Sequence, residues 1–165
     1  MPRPLRDRLL FELNQIREEL RDIVAPIPTA ELDYVPHEGM KGYRTQLIEI
    51  GAMLAESVTF LTTGKIPEWK DCEARVKGGT AAELLASLDE LSSELQHYLE
   101  SCSDEDLLEV LPIPQDWEWC FGTGLIEREE LVRWVARHEY YHLGQIIAFR
   151  WSQGHNPYKK NSNNS

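Results

Sequence analysis

Residues 125–154 read LIEREELVRWVARHEYYHLGQIIAFRWSQG. Within them Leu131, Val135, His138, His142 and Phe149 fall on three- and four-residue steps or their multiples, which is one face of an α-helix. Arginine and glutamate fill many of the positions between. The segment predicts a single long helix with two histidines on its apolar stripe.

The same period recurs three times upstream. Leu9, Leu13, Ile16, Leu20 and Ile23 mark a first helix, which stops at the prolines of APIPTAEL. RTQLIEIGAMLAESVTFL is a second and more apolar helix, reached through the loop LDYVPHEGMKGY and closed by TTGKIP. AAELLASLDELSSELQHYLE is a third, with its stripe at Leu84, Leu88, Leu91, Leu95 and Tyr98. Ser103 then reads as the N-cap of a short extra helix before the last long one. PIPQDWEWCFGTG is the least regular stretch and concentrates Trp117, Trp119 and Phe121, residues that either line a pocket mouth or cover the bundle end. No alternating run of strand length and no internal repeat is visible. The expected fold is therefore all-α, a four-helix bundle. Residues 1–154 form one domain and 155–165 (HNPYKKNSNNS) a polar, flexible tail.

Composition narrows the function classes. A chain of 165 residues suits one domain and buries roughly 70% of its unfolded surface, so it needs no disulfides. Its three cysteines, Cys72, Cys102 and Cys120, are widely spaced and form no C-x-x-C pair, as expected of reduced thiols in a cytoplasm. The charged N-terminal stretch lacks the apolar core of a secretion signal, and no apolar run approaches a membrane span. A formal net charge of −11 disfavours nucleic-acid phosphates as partners.

The letters His138-Glu139-Tyr140-Tyr141-His142 match H-E-x-x-H, the pattern of zinc peptidases. Histidines four apart on a helix can reach one cation. A catalytic zinc needs a third protein ligand, commonly downstream in such peptidases, yet no Asp or Glu follows His142. The extended form of the motif fails too, because Gln145 and Ala148 stand where glycine and histidine would be. Glu139 lies about 100° around the helix from His138, so it is expected on the flank rather than beside the histidines. These points argue against a peptidase. The histidines could equally be core residues with ordinary hydrogen-bond partners.

A third ligand must come from upstream. Glu49 sits between Ile48 and Ile50 in the most apolar helix, where a carboxylate is costly unless paired or metal-bound. Glu56 is one heptad on, and His37 and His97 are further candidates; a solvated face for the glutamates is the plainer alternative.

RHEYYHLGQII near the end of a four-helix chain resembles the DinB/YfiT-like superfamily of metal-dependent bundle enzymes. In that family the last long helix carries H-x-x-x-H followed by a G-Q-[IL] continuation, matched here by Gly144, Gln145 and Ile146. The resemblance extends over most of the chain. It implies a DinB/YfiT-type bundle, a divalent metal on His138 and His142, and a third ligand from the second helix. The family has a histidine there; this chain has Glu49. That departure implies either a His₂Glu shell or a degenerate, metal-free bundle that binds a small ligand or a protein. The resemblance further implies zinc or nickel as the metal, although two imidazoles with a carboxylate also suit iron or manganese. It implies a small-molecule substrate such as a low-molecular-weight thiol, thiol transfer or a hydrolase-like reaction, and a homodimer. Gln145 is expected behind His142, and Tyr140 and Tyr141 either face substrate or pack the helix. The residues themselves assign neither substrate nor catalytic groups, and they leave open whether the chain is an enzyme.

Overall fold

A computed structural model describes residues 4–158. Four long helices carry the fold: α1 (Leu5–Val24), α2 (Tyr43–Thr63), α4 (Ala81–Ser101) and α7 (Arg128–Ser152). Short helices α3 (Trp69–Glu73), α5 (Asp104–Leu107) and α6 (Glu118–Phe121) lie in the connections. Helix α2 packs on α4 and α7, and α1 packs on α7 and α4, so the four close into a ring around one core. This is the all-α bundle expected from the four stripes.

The stripes bury as their periods require. Leu84, Leu88, Leu91, Leu95 and Leu99 of α4 are all at most 2% exposed. Each contributes roughly 1.5–3 kcal/mol of burial, upper estimates because the unfolded chain is itself partly compact. Thr80 begins α4 with a reciprocal capping box: its hydroxyl accepts from the Glu83 amide while the Glu83 carboxylate accepts from the Thr80 amide. Helix α2 ends at Gly64, whose φ of 69° is the left-handed turn that favours glycine. Gly51 lets α2 approach its neighbours, since a Cβ there would stand 2.2 Å from Val76 Cγ2 and 2.8 Å from Leu88 Cδ2.

The expected short helix before α7 is α5, and Ser103 caps it with its own box to Asp106. Asp104 of this turn also caps α1, accepting from the amides of Leu5 (2.8 Å) and Arg6 (3.2 Å). Pro4 provides no side-chain cap, so the free donors of α1 are met by a residue far along the chain. These amides hold the Asp104 carboxyl below its usual range.

No strand was expected, yet Val110–Pro112 (β1) pairs antiparallel with Leu125–Glu127 (β2). Three residues with a proline are too short to show a period of two. The ribbon leads directly into α7. There Arg128 is fixed by Glu109 (2.8 Å), by the Leu61 carbonyl (3.2 Å) and by the Tyr98 hydroxyl (3.3 Å). The loop between β1 and β2 carries α6 and the aromatic residues. Of the polar tail expected over 155–165, residues 159–165 lie outside the described residues. Within its described part Tyr158 donates to Glu19 Oε1 at 2.9 Å. Among the described residues no helix is long and apolar enough to cross a membrane.

Candidate functional site

Helix α7 is buried on two sides, and the two sides carry different chemistry. His142 faces α2 and is 4% exposed; His138, one turn earlier, is half-buried beside it, with ring centroids 4.6 Å apart. From α2, Glu49 brings its Oε2 to 3.6 Å from His142 Nε2. These three side chains line a cavity of about 710 Å³, together with Lys41, Trp119, Trp134, Tyr141 and Gln145. The three residues anticipated from the sequence are thus brought to one place. His37 and His97 are both exposed, and neither lines the cavity. Glu56 lines a separate, smaller cavity.

Two partners of this cluster were not anticipated. Lys41, from the loop before α2, places its ammonium on Glu49 Oε1. Gln46 is fully buried and bridges backward: its Nε2 donates to the Lys41 carbonyl at 2.9 Å. That bond fixes the amide so that Oε1 faces His142 Nδ1, 3.4 Å away. An acceptor at that point assigns the proton of His142 to Nδ1 and leaves the Nε2 lone pair facing Glu49. The only sequence signal for Gln46 was its place on the buried face, one turn before Glu49.

Burial keeps both imidazoles neutral. His138 is pulled down from 6.5 to about 4, chiefly by burial and then by His142 and Lys41. His142 is lowered as well; burial dominates, Lys41 adds to it, and Glu49 and a hydrogen bond to Gln145 oppose it. A neutral Nε2 and a carboxylate Oε2 are both acceptors, and at 3.6 Å they share no hydrogen bond. Two ligand atoms each about 2.0–2.1 Å from one ion stand roughly 3.3–3.6 Å apart at tetrahedral to trigonal angles. The His142–Glu49 pair therefore has the chemistry and the spacing of two ligands of one divalent ion. The shell is not pre-assembled, because Lys41 holds the other oxygen of Glu49. Among the described residues no group of three or more His, Cys, Asp or Glu side chains stands ready to hold a metal.

Glu139 requires a correction. The flank on which it lies is not a wetted side of α7 but the face packed on α1. Glu139 is 2% exposed, and its Oε2 accepts from Arg17 Nη2 at 2.8 Å. Burial pushes its carboxyl up, with Arg17 opposing. It does not line the histidine cavity, so the middle letter of the H-E-x-x-H match is half of an interhelical ion pair rather than a base beside the histidines.

The aromatic residues of the irregular loop take both of the places open to them. Trp119 is 80% exposed at the cavity mouth and meets Trp134 edge-on at 6.0 Å; Trp117 packs on Phe60 at 5.2 Å. Tyr140 and Tyr141 are both exposed, and Tyr141 lines the cavity. The Cys120 thiol is raised by burial and donates to the Trp117 carbonyl, which does not favour a nucleophile.

Four long helices around one core, with a cavity at α2 and α7 that holds two histidines one turn apart, define a helical-bundle protein with a candidate site between those two helices. The chain belongs to the DinB superfamily, whose family model matches residues 12–146. A solved structure of a conserved protein from Enterococcus faecalis is similar in fold: the TM-score is 0.69 at 15% identity, over 93% of this chain and 99% of that one. No curated protein matches.

Proposed function

We propose that this protein is a metal-dependent enzyme of the DinB superfamily whose divalent ion is held by Glu49, His138 and His142. The observation that carries the reading is the pair of facing acceptors, His142 Nε2 and Glu49 Oε2, 3.6 Å apart on the wall of a cavity. Nothing in the described protein bridges them, and a cation between them removes their repulsion. Zinc or nickel suits the set, with iron or manganese as further candidates. Once bound, the ion would supply a Lewis acid that lowers the pKa of water or of a substrate thiol.

The chain's own residues perform the remaining tasks. Gln46 holds the His142 tautomer that presents Nε2. Lys41 neutralises Glu49 while the site is empty and can move aside, since its side chain is 58% exposed. The Trp134 indole gives the cavity an apolar wall with Trp119 at its mouth, and the Tyr141 hydroxyl is a donor at the rim. A volume of about 710 Å³ suits a small molecule, and a low-molecular-weight thiol with thiol transfer or a hydrolase-like reaction is the proposed chemistry.

A metal-free binding module is the second reading, favoured by the Lys41 ammonium already seated on Glu49. Metal analysis of protein purified without chelator separates the two. About one divalent ion per chain, lost in His142→Ala and Glu49→Gln, supports the enzyme reading. A protein that neither retains nor takes up zinc, nickel, iron or manganese sinks it.

A further inference from the structure

A second cavity, of about 310 Å³, lies beside the first and shares Trp119 and Trp134 with it. Its walls include Trp69 and Trp117 as well, so four indoles converge on it. Glu56 of α2, which is 7% exposed, is part of its lining. Among the described residues no hydrogen bond or ion pair satisfies the Glu56 carboxylate. Asp116 adds a second carboxylate at the rim, and the lining contains no lysine, arginine or histidine.

We infer that this cavity is a binding site for a small organic cation, a protonated or quaternary alkylammonium group held between the indoles with its charge on Glu56. An isolated buried carboxylate is costly, and a counter-ion with an apolar skirt offsets that cost without needing hydrogen-bond donors from the protein. Indole faces attract cations more strongly than other aromatic rings do. Trp134 already shows this, with the Arg137 guanidinium 5.6 Å from its ring centroid. Trp69 has its N–H bound to Glu73 Oε1 at 3.0 Å, so it has no donor left to offer a neutral polar ligand. Burial raises the Glu56 carboxyl; burial, and then the Glu56 charge, push the Cys72 thiol up to about 11, with Arg75 opposing.

The cation site requires no metal ion. The shared wall of Trp119 and Trp134 adds one consequence that rests on the proposed function: a substrate spanning both cavities carries its amine at the end remote from the group that reacts near Glu49.

The test uses choline and its neutral isostere 3,3-dimethylbutan-1-ol, titrated into the full-length protein by calorimetry and by tryptophan fluorescence, with and without added zinc. Choline binds saturably and at least about tenfold more tightly than the isostere. Glu56→Gln removes that preference while leaving isostere binding and the thermal midpoint in place. Trp69→Leu, on the exposed side of the cavity, weakens choline more than the isostere. Equal binding of the two probes, no saturable choline binding, or an unchanged preference in Glu56→Gln overturns the inference. Because choline binding is read with and without zinc, its loss is distinguishable from failure of the metal site.

Discussion

The Arg17–Glu139 pair makes a prediction that separates the structural reading of the H-E-x-x-H match from the catalytic one. Glu139→Ala leaves the Arg17 guanidinium buried and unpaired, with its side chain only 7% exposed. Removing one partner of a buried ion pair costs about 3–5 kcal/mol. The lower end applies here for two reasons. Arg17 Nε and Nη1 and Glu139 Oε1 have no hydrogen-bond partner, so the pair is incompletely satisfied. Burial also outweighs the attraction of Arg17, as the raised Glu139 carboxyl shows. A loss of about 3 kcal/mol corresponds to a fall of roughly 6–12 °C in melting midpoint for a chain of this size. Thermal unfolding followed by circular dichroism at one protein concentration measures it. The double variant Arg17→Met/Glu139→Leu, which replaces both charges with apolar groups, should unfold within about 1 kcal/mol of the parent or above it. Metal content should be unaffected in both variants. A Glu139→Ala midpoint within about 2 °C of the parent, or a double variant no better than the single, would refute the reasoning.

Three further outcomes follow from the site and the core. In metal-free protein, the His138 contribution to stability should be lost as pH drops from 6.5 toward about 4. His138 has its folded pKa depressed, so the unfolded chain takes up the proton first, and the contribution is present above 6.5 and lost below it. Its size is at most about 3 kcal/mol before screening, and urea titrations of the parent and His138→Gln from pH 7 to 4 read it; identical pH profiles would count against it. Lys41→Met should tighten zinc binding by up to about fivefold, because the exposed Lys41–Glu49 pair that zinc must displace is worth about 0.2–1 kcal/mol; calorimetry showing weaker binding would make Lys41 a helper rather than a competitor. Gly51→Ala should cost about 1–3 kcal/mol in chemical unfolding, since its methyl meets Val76 and Leu88 at distances no side chain tolerates. An unchanged unfolding midpoint would mean that α2 and α4 separate freely.

The bundle was legible because α1 and α4 present apolar stripes with a 3.6-residue period, which a sequence displays best, and because α2 is apolar over most of its circumference. Helix α7 differs from all three. It is buried against α2 through His142 and against α1 through Glu139, and a reading that allows one buried face assigns the second to the flank. Arg17 is hidden for the same reason, since an arginine among the polar positions of α1 looks like any solvated one until its partner, 122 residues away, is known. Glu49 could be placed from its apolar neighbours and the superfamily pattern. Lys41 could not, because a loop lysine has no period and its position depends on how the chain enters α2. The ribbon escaped notice because its pairing depends on residues 13 to 17 positions apart meeting across a loop, with Pro112 on one strand.

That ribbon gives the molecule a division of labour. The proposed ligands and their supports stand on α2, on α7 and in the loop before α2, whereas Trp117, Trp119 and Cys120 hang from the connection between β1 and β2. Arg128 clamps the return of that connection to the Leu61 carbonyl and to Tyr98, so whatever the loop does ends at a fixed point before the histidines begin. Ile113 and Trp117 tie the connection to the core, so its exposed positions, Trp119 above all, are the ones that can vary while these anchors stay. Such changes would reset what the two cavities admit while the helices behind them keep their register.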